Sequence, residues 1–157
     1  MNQEIADYLD VMGRQRAGLL AAVKDLPVEA LDWRPLPEVT SSIAVLAHHA
    51  AGVIRLWFVE GLTGRDIGRV RDDEFAVQGR DAAALAAVIN GTYDEAEAAL
   101  KGCDPAMLDR AAPLTVNHNT RGQVHTPRFG IAYALNHAGE HIGHMGLTRQ
   151  LWEARAQ

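Results

Sequence analysis

The sequence predicts an all-α protein, a four-helix bundle built by a single domain over residues 1–157. Alanine is abundant and runs of β-branched residues are scarce, which favours helix over strand. Four long segments place apolar residues at intervals of three and four positions, the period of an amphipathic helix. A chain of this length forms one domain and buries enough surface to fold without disulfides. A short irregular or hairpin segment is expected before the last helix.

The first predicted helix covers about residues 2–26, where the apolar period is regular. Pro27 ends this helix or lies just beyond its end, because the residue before a proline is disfavoured in helical conformation. Pro35 and Pro37 bar regular helix from the connection that follows. We expect Trp33, in that connection, to cover one end of the core.

The second predicted helix starts at a cluster of capping residues at positions 40–42 and runs to about Leu62. It carries two adjacent histidines, which helical geometry separates. His49 falls inside the apolar stripe, about 40° from Val53, whereas His48 lies about 100° away at the polar boundary. The inward-facing His49 is therefore the better candidate for a ligand, and a hydrogen-bonded core histidine is the alternative.

The charged, glycine-rich segment 64–80 is interpreted as a solvated surface crossover anchored by Phe75. The third predicted helix covers about residues 81–101, and Gly102 suits the position just past its end.

Regular periodicity is lost over residues 103–126. One short helical turn near residues 104–110 and a small hairpin within 114–126 are the predicted structures there. His118 and His125 lie in this segment, either as exposed loop residues or at the mouth of a site. The fourth helix is predicted from Pro127, a good first-turn residue, to about residue 153.

The fourth helix carries three histidines on one face. His141 lies about 40° from His137, and His144 lies about 20° from it on the other side. Two histidines one turn apart provide half of a zinc or nickel site, which needs another ligand from elsewhere in the chain. His49 is the candidate for that ligand. A solvated polar face is the alternative.

His137, Glu140 and His141 also fit the H-x-x-E-H pattern of inverted zinc proteases. We do not expect a peptidase, since those enzymes are much larger and need a further carboxylate ligand on a distant helix, whereas 16 residues follow His141 here. Glu140 itself is a candidate general base, or an acceptor that orients an imidazole, with a solvated flanking residue as the alternative.

Composition excludes several classes of function. The net charge of −5 and the lack of a basic patch argue against nucleic-acid binding. No uninterrupted apolar run approaches the ~18 residues of a membrane span. One cysteine, Cys103, rules out an internal disulfide and, with no recognisable signal peptide, indicates a cytoplasmic protein.

Three stretches resemble the DinB-like superfamily of metal-binding four-helix bundles, which includes YfiT-like proteins and thiol-dependent transferases and isomerases. They are LDWRPLPEVTSSIAVLAHHAAGVIRLW, GRDIGRVRDDEF and HAGEHIGHMGLTR. The resemblance implies an up-down-down-up bundle, and its spacing selects His49 with His137 and His141 as metal ligands. Some thiol-dependent members have a glutamate at the position of His137, so the resemblance does not identify the thiol.

A site with three protein ligands leaves one coordination position open for substrate or water. The resemblance therefore implies a divalent-metal enzyme, with zinc or nickel, that activates a low-molecular-weight thiol or a water molecule. His144, Arg149 and Arg55 are candidates for contacting a ligand or an anionic substrate group, with surface ion pairs as the alternative for the two arginines; His144 is also an alternative metal ligand in place of His141.

Two further functions remain open, a metal-dependent hydrolase and a non-catalytic metal-binding stress or sensor protein. A small-molecule substrate and a homodimer are the expected partners, the dimer because Ala and Leu are frequent on the first and third helices and because the resemblance favours it.

Overall fold

The computed structural model describes residues 2–110 and 124–155, and the described chain is built of helices. In chain order these are α1 (Gln3–Val23), α2 (Val28–Asp32), α3 (Ile43–Ile54), α4 (Gly61–Thr63), α5 (Arg71–Phe75), α6 (Ala82–Lys101) and α7 (Pro127–Ala154). A π-helical segment, Arg55–Glu60, joins α3 to α4, and a 3-10 helix, Pro105–Asp109, follows α6. The all-α bundle predicted from the sequence is confirmed.

Each long helix begins at a polar side chain that accepts a hydrogen bond from a backbone N–H of the first turn, which is the usual N-cap interaction. The four capping residues are Asn2, Ser42, Asp81 and Thr126. All four long helices start within one residue of the predicted position, and Pro127 takes the first position of α7, where its missing N–H costs nothing.

The helices α1 and α3 each pack against both α6 and α7. The two therefore occupy opposite corners of the bundle. Fully buried side chains from all four long segments meet in the core, among them Leu19, Phe58, Tyr93 and Ile131. This packing turns the inner face of α3 toward α7, so that the histidines of both helices face each other.

Two connections are more ordered than their composition indicated. The segment after α1 contains α2, which ends before Pro35, and the predicted helical end at residue 26 is too late. The chain leaves α1 after Val23 because Lys24 has an extended ψ of 133°, and Asp25 continues the turn with a positive φ of 59°. The crossover 64–80 contains α5.

The continuous helical stretch Ile43–Thr63 is, within the described residues, long and apolar enough to cross a membrane. In this structure 83% of its apolar window is buried inside the protein, so it serves as the central helix of the core.

The predicted turn at 104–110 is present as the 3-10 helix. The predicted hairpin lies mostly in residues 111–123, outside the described residues, as does His118.

Candidate metal centre

Two histidines of α7 approach each other because they lie four residues apart on one helix face. The Nε2 atoms of His137 and His141 are 3.0 Å apart, and both side chains are half-buried. The helix thus presents two imidazole nitrogens at one point without any help from other elements.

The third imidazole comes from α3. The Nε2 atom of His49 lies 3.0 Å from Nε2 of His137, and its side chain is buried. Neighbouring His48 is half-buried and belongs to no such cluster among the described residues. Of the two adjacent histidines, His49 is the one that faces the bundle interior, and the structure brings together the three histidines predicted as ligands, His49, His137 and His141.

The second nitrogen of His49 is held by a residue that the sequence did not single out. Nδ1 of His49 donates to Oε2 of Glu74 over 2.8 Å. Arg69 in turn donates to both oxygens of that carboxylate, from Nε to Oε1 over 2.6 Å and from Nη2 to Oε2 over 2.7 Å. Since a carboxylate only accepts, Nδ1 carries the proton and Nε2 keeps its lone pair for the site.

Glu74 and Arg69 show that the crossover 64–80 was only partly interpreted correctly. Both side chains are buried, although a solvated surface was predicted for this charged segment. Burial raises the pKa of Glu74, but the hydrogen bonds from His49 and Arg69 outweigh it, so that the pKa ends below its usual value. Phe75, the predicted anchor, lies against the His49 ring with 4.8 Å between ring centroids.

The chemistry of this donor set fits a divalent metal. Three imidazole nitrogens lie within 4.8 Å of one another, and in a tetrahedral site with zinc–nitrogen bonds of ~2.0–2.1 Å the nitrogens are about 3.4 Å apart. Nε2 of His137 lies 3.0 Å from Nε2 of each of the other two histidines, which is close to this value. Small adjustments of the rings therefore suffice to hold a metal ion.

The two α7 histidines are kept neutral, the form that can donate a lone pair to a metal. Burial, together with the neighbouring histidines, lowers the pKa of His141 to about 4. Burial is also the main cause of the lowered pKa of His137, followed by the proximity of His49. Near neutral pH the site therefore offers lone pairs rather than positive charges.

The other candidate residues on α7 lie at the solvent side of the site. His144 is exposed, and its ring centroid is 5.9 Å from that of His141. Glu140 is also exposed and accepts a hydrogen bond from Asn136 over 2.8 Å. Their expected roles toward a ligand remain predictions.

Both arginines proposed as substrate contacts are engaged with the protein. Arg55 donates to Glu95 on α6 over 2.6 Å. Arg149 donates to the carbonyl oxygens of Ala21 and Lys24 at the end of α1, over 3.0 and 2.8 Å. Arg149 also pairs with Glu153 over 2.8 Å, so that both arginines form ion pairs, the alternative interpretation given for them.

A row of stacked rings leads along α7 to the site. His125, Phe129, Tyr133 and His137 follow one another with ring centroids 4.3, 6.2 and 5.7 Å apart and planes within 13–21° of parallel. Phe129 and Tyr133 are 47% and 46% exposed. His125 is half-buried in this row, which fits the second of its two predicted positions, beside a site, better than the first, an exposed loop.

Trp57 supports the row from behind. It is buried and contacts the rings of His125, Phe129 and Tyr133. Gly130 makes this possible, because a Cβ atom there would lie 2.0 Å from Cε3 of Trp57. The row therefore forms an apolar surface fixed beside His137.

Comparison with solved structures identifies proteins of the same fold. A conserved protein from Enterococcus faecalis superposes with a TM-score of 0.69 at 14% identity, covering 92% of this chain and 94% of the other. A DinB-like protein from Bacillus subtilis gives a TM-score of 0.64 at 18% identity, covering 96% of this chain and 92% of the other. At these identities the likeness establishes the fold alone.

Sequence comparison establishes the family. No curated protein matches the chain at a significant level. The family model described as mycothiol S-transferase, however, matches residues 7–154, nearly the whole length. The chain therefore belongs to the mycothiol S-transferase family, within the DinB-like group that its sequence motifs resemble.

Proposed function

We propose that this protein is a metal-dependent thiol S-transferase that joins a low-molecular-weight thiol to an electrophile. The observation that carries the proposal is the convergence of three imidazole nitrogens, from His49, His137 and His141, in a chain of the mycothiol S-transferase family. Mycothiol, the thiol after which the family is named, is the proposed thiol.

The three histidines would hold a zinc or nickel ion through Nε2. When bound, such an ion supplies a Lewis acid that favours the thiolate form of a thiol, which is the nucleophilic form. Transfer forms a carbon–sulfur bond, expels the leaving group of the electrophile and releases the thiol proton.

The surrounding residues supply orientation and a place for that proton. Glu74 keeps the Nδ1–H of His49 directed away from the site, so that Nε2 faces His137. Glu140, exposed on the neighbouring turn of α7, is the proposed acceptor for the thiol proton. The exposed faces of Tyr133 and Phe129 offer an apolar surface for the electrophile.

The test compares metal-loaded with metal-free protein. Each form is incubated with mycothiol and a chloronitrobenzene electrophile, with a nitrophenyl ester assayed in parallel. The proposal requires conjugation that depends on both the thiol and the metal.

Other outcomes contradict the proposal in distinguishable ways. Metal-dependent ester cleavage that needs no thiol would identify a hydrolase. Metal that raises the melting temperature without turnover of either substrate would identify a non-catalytic binding protein.

Two further properties belong to the same proposal. The single thiol of Cys103 suits a reducing cytoplasm, which fractionation of cells would test. A homodimer is proposed from the Ala and Leu content of α1 and α6, and sedimentation of the purified protein measures it.

A further inference from the structure

The crossover between α4 and α6 places a pair of charged side chains inside the bundle, beside His49. There, Glu74 and Arg69 form a buried ion pair with two hydrogen bonds, and Glu74 is also bonded to His49. A carboxylate taken from water needs such partners to remain charged inside a protein. The pair is therefore placed to act on the imidazole of His49.

Gly52 creates the space for this contact. It lies three residues after His49, on the same face of α3. A Cβ atom at this position would lie 1.9 Å from Oε1 and 2.7 Å from Cδ of Glu74, and 3.1 Å from Nε of Arg69. Any larger residue would exclude the carboxylate, so the glycine and the ion pair form one structural unit.

The position of Glu74 fixes two properties of His49. The hydrogen bond to Nδ1 selects the tautomer whose lone pair is on Nε2, and it sets the rotation of the ring. A negative charge on the far side of the ring also makes Nε2 a stronger donor. Phe75 closes one side of the ring, so the imidazole has little freedom to turn away.

We propose that Glu74, held by Arg69 in the space left by Gly52, is the positioning residue of His49 and sets the affinity of the three-histidine site for a divalent metal. The crossover 64–80 is then a part of the site, although it supplies no ligand. This inference rests on the proposed metal centre, but it concerns metal affinity and not turnover.

The test measures the affinity for Co²⁺ and Zn²⁺ by competition with a chromophoric chelator, together with the unfolding midpoint of the metal-free protein. In Glu74→Gln the amide oxygen can accept a hydrogen bond from either His49 or Arg69. The amide N–H₂ then faces a donor of the other residue, and that hydrogen bond is lost. We expect metal affinity to fall about 10–100-fold, the usual effect of losing a partner of a metal-binding histidine.

Two further variants keep the test decisive if Glu74→Gln unfolds, since Arg69 would then be buried without its counter-charge. In Arg69→Met/Glu74→Gln the charge pair is removed together, and the amide oxygen is free to accept from His49. We expect it to fold and to lose affinity toward the lower end, about 10-fold. Gly52→Ala removes no polar group but displaces the carboxylate, and we expect a loss of similar size.

Gly91→Ala on α6 is the matched control, because its Cβ would meet nothing within 4 Å. It is expected to leave metal affinity unchanged. If the three variants lower the unfolding midpoint but bind Co²⁺ and Zn²⁺ as tightly as wild type, Glu74 is merely structural and the inference is overturned.

The result is separable from the fate of the proposed activity. Weakened metal binding in the variants supports the inference even if the metal-loaded wild type conjugates no thiol, which would contradict the transferase alone. Conversely, a wild type that transfers thiols while all variants keep full affinity overturns the positioning role alone.

Discussion

The two walls of the candidate site hold their histidines in different ways. On the α3 wall, His49 is buried between the Glu74 carboxylate and the Phe75 ring. On the α7 wall, His137 and His141 are half-buried, and Nδ1 of His141 has no hydrogen-bond partner within the described part of the chain. The α3 wall is thus fixed by tertiary contacts, whereas the α7 wall is fixed by the four-residue spacing of one helix.

Each wall also depends on a glycine that admits a large neighbour. Gly52 on α3 admits the polar pair of Glu74 and Arg69, and Gly130 on α7 admits the apolar ring of Trp57. The first contact acts directly on a predicted ligand. The second holds the start of α7 against the π-helical segment, so we expect it to affect stability more than metal binding.

The largest effect is expected when a histidine is removed from either wall. In His49→Ala or in His141→Ala, bound metal should fall from about one equivalent to near zero, because two imidazoles are too few to hold zinc firmly at a site built for three. Metal analysis of purified protein measures this. Added imidazole should restore more binding to His141→Ala, whose position is partly open, than to His49→Ala, whose position is buried.

His144→Ala is the control for these variants, because its ring is exposed and lies 5.9 Å from that of His141. It should keep full metal content. A His49→Ala protein that also keeps full metal would show that the ligand assignment is wrong.

The next largest effect is expected from the metal itself, which would stabilise the folded protein by binding to both walls. A ligand that binds only the folded state, at a concentration one hundred times its dissociation constant, raises the free energy of unfolding by about 2.7 kcal/mol. For a domain of this size this corresponds to a rise in Tm of roughly 5–10 °C. Thermal unfolding with zinc and with a chelator measures the shift. The metal-free protein should still fold, since its apolar core includes all four long segments.

A matched pair of variants sharpens this prediction. The zinc-dependent shift should vanish in His49→Ala and persist in His144→Ala. An equal shift in both would mean that zinc acts elsewhere on the protein.

A smaller effect is expected from Gly130→Ala. The added Cβ would meet the Trp57 ring at 2.0 Å, and overpacking of this kind costs about 1–3 kcal/mol of folding free energy. Chemical denaturation measures the loss, with Gly91→Ala as the unhindered control. If Gly130→Ala weakens metal binding as much as Gly52→Ala does, the two walls do not differ as we infer.

Sequence alone predicts the part of the site that follows helical geometry. The apolar period locates the four long helices, and a rotation of 100° per residue separates His49 from His48. The spacing of His137 and His141 needs no tertiary information, since one helix sets it.

The part of the site that depends on tertiary contacts could not be predicted from the sequence. Glu74 lies 25 residues after His49 in a segment that has no regular apolar periodicity. Because its side chain is charged, exposure to solvent was the simplest prediction. Two signals were present. Gly52 interrupts an apolar helix, which often marks close approach by another element, and Phe75 is a lone aromatic residue among charges. The π-helical turn after α3 likewise has no sequence period of its own.

The smallest expected effect concerns the surface beside the α7 wall. The Tyr133 ring is nearly parallel to that of His137, 5.7 Å away, and its 46% exposure leaves it open to a substrate. An aromatic contact contributes about 0.5–1.5 kcal/mol, so Tyr133→Ala should raise KM for an aromatic electrophile about 2–10-fold and leave Zn²⁺ affinity unchanged. Tyr133→Phe keeps the ring and should match wild type. If Tyr133→Phe is as impaired as Tyr133→Ala, the hydroxyl and not the aromatic face makes the contact, and the row of rings is not the surface that receives the electrophile.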